Sequence, residues 1–322
     1  MNMPKLFEIK LKLLIQRLMW LSCLFLFLVC PLKASAIYEP LSDIGNSAGM
    51  IGIGNIEGFD EGASSLMQNP ASLATVYKLS FSTFYASFLK NDVQFMSGAI
   101  AYRLPVGVVA IGAIGTEIGG IDHTGQNNGQ YYSESTFSYR DITYKAGYQL
   151  DLTRDIHVGV AGSYLTQESY QSSAWGINMD AGVYINLDAL EVSFAGKNIL
   201  GKSLHYKGPT SDVSVAVPAT YLISARMPLA LIPGMNLYGQ YKSMPSRHKE
   251  LLAAGARYEI PIFPMLSIST GWQEYLVLDN IQNKTSVGVI LNMQTIKLNF
   301  AFEKSNFFQE DNQYYFSVDL NL

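Results

Sequence analysis

The residues best suited to acid–base work or metal ligation are four histidines, His123, His157, His205 and His248, and they are scattered along the chain. No two stand at the short spacing that lets two imidazoles share one metal. Gly52-Ile53-Gly54, in the glycine-rich stretch 45–62, has the composition of a phosphate-cradling turn. It lacks the preceding strand, the helix start and the downstream acidic residue that make such a turn bind phosphate, so it is expected to be a flexible plug segment. Cys23 and Cys30 are the only cysteines. No catalytic group, metal site or cofactor is read from these residues. The charged residues Lys145, Asp180, Glu191, Lys197, Arg226, Lys242, Arg257, Lys297 and Glu303 remain. They could line a passage, or pair with one another and hold a filling segment.

Composition narrows what kind of scaffold carries them. The chain is 48% hydrophobic and 15% charged, with 20 Tyr and 16 Phe. Soluble domains usually have about a quarter charged residues. The net charge is −4, which argues against nucleic acid as a partner. Residues 1–36 read as a secretory signal peptide. Lys5, Lys10, Lys12 and Arg17 precede the apolar run Leu18–Val29, and Ala34-Ser35-Ala36 offers a small-residue cleavage site. Both cysteines fall in that segment, so an exported chain would carry no thiol and suit an oxidising compartment.

Beyond Ile37 no apolar run is long enough for a membrane-spanning helix. Alternation takes its place. Trp175, Ile177, Met179, Ala181, Val183, Ile185 and Leu187 interleave with Gly176, Asn178, Asp180, Gly182, Tyr184 and Asn186. Ile142, Tyr144, Ala146, Tyr148 and Leu150 interleave with Thr143, Lys145, Gly147 and Gln149; Ile296, Leu298, Phe300 and Phe302 with Lys297, Asn299, Ala301 and Glu303. Successive side chains of a strand point to opposite faces, so each segment has one apolar and one polar face. About fourteen such segments run from 79–88 to 314–322, with lengths suited to tilted strands crossing a bilayer. Connections alternate between short turns, such as Asp151–Arg154 and Met293–Thr295, and longer polar loops at Ile118–Phe137, Ile199–Pro218, Glu274–Lys284 and Lys304–Gln313. Sorting by parity is the mark of a transmembrane barrel. The expected fold is therefore all-β: a transmembrane antiparallel up-and-down β-barrel of about fourteen strands, with a short N-terminal plug. Its expected divisions are a signal peptide at 1–36, a plug segment at 37–77 and the barrel at 78–322.

Several local patterns spread from residue 58 to the C-terminal strand carry the family likeness. Gly58 to Val76, centred on Asn69-Pro70-Ala71, resembles the plug of the FadL family of outer-membrane transporters. Phe194-Ala195-Gly196-Lys197-Asn198-Ile199-Leu200-Gly201 and Gly255-Ala256-Arg257-Tyr258 are similar to the PorV/PorQ branch of that superfamily. So are Ser269-Thr270-Gly271-Trp272 and Leu298-Asn299-Phe300-Ala301-Phe302. The final strand, with Tyr314, Phe316, Val318, Leu320 and Leu322 on one face, resembles the signal read by the barrel-assembly machinery.

The FadL resemblance implies passive transport of hydrophobic, fatty-acid-like molecules across the outer membrane of a diderm bacterium. It also implies a side exit into the lipid. The PorV/PorQ resemblance implies instead a component of a protein secretion system, whose partners are secretion proteins. Gly107, Gly112, Gly115 and Gly119 make the third strand poor in side chains. By analogy with the family, a kink at Gly112 and Gly115 is expected to open the wall. An apolar cavity against residues 59–76 with a side exit would favour transport, and a filled lumen beside an exposed apolar surface on loop 199–218 or 274–284 would favour docking.

Overall fold

The computed structural model describes residues 44–88, 93–127, 129–187, 189–208, 212–277, 280–305 and 312–322. The expected signal peptide and residues 37–43 lie outside the described residues. Strands β1 (Leu79–Phe88), β2 (Val93–Leu104), β3 (Gly107–Asn127), β4 (Gln130–Asp151), β5 (Ile156–Ser169), β6 (Ser172–Leu187) and β7 (Leu190–Lys197) follow one another as antiparallel neighbours. The wall continues with β10 (Thr220–Pro228), β11 (Met235–Met244), β12 (Lys249–Glu259), β13 (Leu266–Val277), β14 (Asn280–Met293), β15 (Ile296–Ser305) and β16 (Asn312–Asn321). β16 pairs with β1, from Ser80↔Asn321 to Ser87↔Tyr314, and closes a barrel of 14 strands. Closure leaves no unpaired sheet edge in the wall, as hydrocarbon surroundings require.

The alternation read from sequence maps onto the two faces of this wall. On β6, Asn178, Asp180, Gly182 and Tyr184 are buried toward the lumen, whereas Trp175 and Ile177 are about half exposed on the outside. Tyr144, Tyr148, Val160, Tyr164, Ile223, Val287 and Phe300 continue the apolar exterior. Lys145, Lys197, Lys297, Asp319 and Glu303 are buried inside it. The molecule is polar within and greasy without, so lipid must cover the exterior. Tyr314 and Leu320 are exposed on the outer face of β16 with Phe316 and Val318 beside them, and the ends of Leu322 and Leu79 bond to each other.

Three of the expected long loops are built differently. Residues 118–137 continue β3 and β4 as one long hairpin, because Thr, Ile and Tyr there sustain strand geometry past the apolar band. Residues 274–284 likewise extend β13 and β14. The segment 199–218 forms a hairpin of β8 (Ser203–Lys207) and β9 (Asp212–Ala216), attached to the outer end of β6. Its Leu204 and Val217 pack on Leu165 and Ala174, which belong to the lumen face. Only part of Lys304–Gln313 lies among the described residues.

A lysine at Val183, on the outward face of β6 between Val158 and Phe194, should destabilise the barrel by roughly 2–4 kcal/mol if it meets the bilayer interior. Urea titration of Val183→Lys folded into lipid vesicles measures this. An unchanged midpoint would contradict the assigned face.

Candidate functional site

The site is the seam between the barrel wall and the chain that enters it. Residues 44–76 form α1 (Ala48–Ile51), α2 (Ser65–Gln68) and a 3-10 helix (Pro70–Thr75), joined by tight turns. These elements are too short to be stable alone, so the wall must fix them. An irregular chain inside a barrel also exposes backbone N–H groups that cost several kcal/mol each when unpaired. The lumen face supplies partners. Ser317 Oγ accepts from Ala48 N (3.2 Å), Ser286 Oγ from Gly54 N (3.2 Å), Gln240 Oε1 from Glu57 N (2.8 Å), Ser80 Oγ from Ala63 N (3.0 Å) and Ser82 Oγ from Ser64 N (3.1 Å).

Asn69 is the densest of these contacts. It sits before Pro70 and takes the extended conformation (φ −137°, ψ 111°) that proline imposes on its predecessor, so α2 stops at Gln68. Its Oδ1 accepts from Ala71 N (2.9 Å) and starts the 3-10 helix. Its Nδ2 lies within bonding distance of Ser193 Oγ (2.8 Å), Val183 O (3.2 Å) and Phe194 O (3.2 Å). The Asn69-Pro70-Ala71 motif is thus a corner pinned to β6 and β7, and Ala71 is small enough to lie flat on the wall. Asp60, eight residues before the end of α2, is a candidate cap for a short helix ending at Gln68. Its Oδ2 instead accepts from Ser64 Oγ (2.7 Å) and from Gln68 Nε2 (3.4 Å), and it caps no helix N–H.

Most of the lumen charges pair with the plug or with each other. Lys197 bonds Glu57, Lys145 bonds Asp180 and Arg226 bonds Glu191. Arg257 Nη2 donates to Gly49 O (2.9 Å), and Lys284 pairs with Glu303 (2.7 Å). Lys297 lies 3.5 Å from Glu61 and 4.0 Å from Asp60. The Lys297 ammonium is the main reason the Glu61 carboxyl is held below its ordinary value. Of the two readings left open for these charges, the geometry supports mutual pairing and plug retention.

Apolar contact completes the seal. Ile51, Ala63, Leu66, Met67 and Leu73 join Phe84, Phe95 and Ile114 of the wall in one cluster. Met50, Ile53, Ile56, Phe59 and Ala71 join Tyr184, Tyr238 and Ala253 in another. Ala48, Met50, Ile51, Ile53, Ile56 and Leu66 have no accessible surface at all, so not even a water-sized void touches them. The apolar cavity that would favour transport is therefore not formed against Ala63, Leu66, Ala71 and Leu73; the lumen is filled there, which is one half of the pattern that would favour docking. A cavity of about 430 Å³ does open at the short-turn mouth, lined by Ala74, Arg103, Asp151, Thr153, Arg154 and His157. There Arg103 binds the carbonyls of Ala74 and Val76, each at 2.6 Å, and ties the end of the plug to Asp151.

Glycine explains how the backbone comes so near the wall. A Cβ on Gly271 would collide with Gly54, one on Gly255 with Ile53, one on Gly159 with Pro70 and one on Gly182 with Asn69. All four lie on the lumen face. The Gly52–Gly54 turn is accordingly part of the plug, as expected, but is wedged against β12, β13 and β14 rather than flexible. Gly112 belongs to the same set, since its Cβ would stand 2.7 Å from Met67 Cε. The expected opening is not formed there. Gly112 pairs with Ala99 and Lys145, Gly115 with Met96 and Ile142, and both ladders run unbroken. The two register shifts of β3 against β4 lie further out, between Ile118 and Ile121, where Gly120 has φ +68°, and between His123 and Thr124.

Chemistry beyond packing finds little footing. His157 contacts Asp151, His205 contacts Ser214 and His123 stacks on Tyr170. Among the described residues no three His, Cys, Asp or Glu side chains group to hold a metal. Gly45-Asn46-Ser47-Ala48-Gly49 has the spacing of a serine-nucleophile elbow, a pattern sequence reading passed over. Such an elbow needs a preceding strand and an exposed hydroxyl. Ser47 instead starts α1 and is 1% exposed.

Comparison with solved structures follows this geometry. The chain aligns with the Pseudomonas putida toluene transporter TodX over 86% of its length and 98% of that chain, with a TM-score of 0.60 and 13% identity. A Pseudomonas aeruginosa FadL homologue aligns over 89% of this chain and 100% of that one (TM-score 0.57, 9% identity). The monoaromatic hydrocarbon channel CymD aligns over 86% and 96% (TM-score 0.55, 11% identity). The chain has the fold of these barrels. No family model matches it, and no curated protein does. At such identities the likeness is one of architecture.

The glycine contacts give a direct test of the seal. Overpacking costs about 1–3 kcal/mol, so Gly271→Ala should loosen the plug, whereas Gly162→Ala, where a Cβ meets nothing within 4 Å, should not. Maleimide labelling of a cysteine at Ala48 reads the difference, and roughly tenfold faster labelling is expected in Gly271→Ala alone. Equal rates in the two variants would contradict the close approach.

Proposed function

We propose that the protein is an outer-membrane channel for passive movement of hydrophobic, fatty-acid-like molecules, gated by residues 44–76. The observation that carries this reading is the shared architecture with barrels named as toluene and monoaromatic hydrocarbon channels. The seam itself fits the task. Its two apolar clusters are contacts that a hydrophobic ligand can replace, gaining about 25 cal/mol per Å² of apolar surface buried. The hydroxyls and ion pairs around them hold the plug but offer a greasy ligand no purchase.

In this reading the conformation described is closed, and passage requires the plug to shift. Movement is down a gradient and needs no cofactor, metal or catalytic residue. Export by the 1–36 segment and recognition of Tyr314, Phe316, Val318, Leu320 and Leu322 by assembly machinery belong to the same proposal. The secretion-system alternative gains no support from these alignments.

The test joins plug to wall. Ser64→Cys with Ser82→Cys places two thiols where Ser64 N now bonds Ser82 Oγ, and the native cysteines, Cys23 and Cys30, lie upstream in the segment expected to be cleaved. In liposomes, the reduced variant should take up a fluorescent long-chain fatty acid above the protein-free background, and oxidation should abolish uptake. No uptake in the reduced form contradicts transport. Undiminished uptake after oxidation contradicts gating by the plug.

A further inference from the structure

Two short turns of the wall are built to one plan. Between β10 and β11 the chain reads Leu229-Ala230-Leu231-Ile232-Pro233-Gly234-Met235, and between β12 and β13 it reads Ile260-Pro261-Ile262-Phe263-Pro264-Met265-Leu266. In the first, Leu229 N donates to Met235 O (2.7 Å), Ile232 N to Leu229 O (3.0 Å) and Met235 N to Ile232 O (3.1 Å). The same three bonds recur in the second: Ile260 N to Leu266 O (3.1 Å), Phe263 N to Ile260 O (2.9 Å) and Leu266 N to Phe263 O (2.8 Å). The loops stand side by side. β11 and β12 pair down to Met235↔Tyr258, and Glu259 N donates to Gly234 O (2.8 Å).

What these loops present does not suit water. Turns are usually made of Gly, Asn, Asp and Ser with Pro, and the β4–β5 turn follows that habit with Asp151, Arg154 and Asp155. The paired loops carry no charged, hydroxyl or amide side chain. Leu231 is 89% exposed, Ile262 83% and Phe263 65%, with Ile232 and Met265 exposed beside them. Their backbones are also sparing of donors. Pro233, Pro261 and Pro264 have no N–H, and the bonds just described hold others inside the loop. An apolar patch of this kind on a folded surface marks a contact with membrane or protein. Here it runs on from the outward face of the wall, through Met227 of β10 and Ile268 of β13, both exposed to the outside. Lipid already covers that face.

We infer that loops 229–235 and 260–266 are a two-pronged lipid anchor, immersed in the leaflet on the short-turn side with Leu231, Ile262 and Phe263 among the acyl chains. The internal bonds fix both loops beforehand, so little conformational freedom is lost on insertion. The anchor holds this sector of the rim at a set depth, while the charged β4–β5 turn stays in water. It is independent of what passes through the barrel.

Fluorescence quenching in lipid vesicles tests it. An environment-sensitive dye is attached to Leu231→Cys or Ile262→Cys, to Arg154→Cys in the charged turn, and to Ile268→Cys on the outward face of β13. Lipids carrying a nitroxide on the acyl chain should quench the dye at Leu231, Ile262 and Ile268, and iodide in the buffer should quench it only at Arg154. Iodide quenching at Leu231 and Ile262, with lipid quenching kept at Ile268, overturns the anchor and leaves the lipid-covered wall standing. Loop dyes that neither reagent reaches are covered by protein, a second copy or another partner, and that result overturns the anchor too. Loss of lipid quenching at Ile268 as well overturns both the anchor and the lipid-covered wall.

Discussion

A hydrocarbon exterior tolerates no unpaired backbone and no charge, and that constraint organises the whole molecule. It forces closure of β1 on β16, and it turns Lys145, Lys197, Lys297, Asp180, Asp319, Ser193, Ser286 and Ser317 to the lumen face. An interior that polar must itself be satisfied. In this chain the plug does so: its amides meet Ser80, Ser82, Ser286 and Ser317, and its carboxylates meet Lys197 and Lys297. Barrel and plug are therefore one hydrogen-bonded unit, and neither is complete alone.

The same arrangement sets what must move. The buried charge pairs, Lys197 with Glu57 and Lys145 with Asp180, are desolvated and mutually dependent, so breaking one leaves its partner stranded. Apolar contacts are not so exclusive, because any greasy surface of suitable shape can stand in for Met50, Phe59 or Leu66. On the transport proposal, a hydrophobic ligand is the class of molecule that would compete for this seam.

The fold was legible because a period of two is a direct record of which side each residue faces. Strand number, polarity of the two faces and the short turns all follow from it. The outer loops were not, because loop composition does not distinguish a polar coil from a hairpin that outruns the membrane, as in residues 118–137. The Asn69-Pro70-Ala71 corner was visible as a motif, but its partners on β6 and β7 lie more than a hundred residues away. Glycine misled most. Gly112 and Gly115 read as a weak strand, yet parity alone separates the lumen-facing glycines, Gly112, Gly159, Gly182, Gly255 and Gly271, from Gly162 on the outside. A row of small residues on an inner face signals that another backbone comes to lie there.

Site-directed spin labelling of β6 in bilayers is the most direct examination of this inside-out arrangement. Nitroxides at Trp175, Ile177, Ala181, Val183 and Ile185 should be reached by oxygen dissolved in lipid. Those at Asn178, Gly182 and Tyr184 should be shielded from oxygen and from a water-soluble nickel chelate alike. An accessibility profile without a period of two, or outward labels quenched by the water-soluble reagent, would contradict the account.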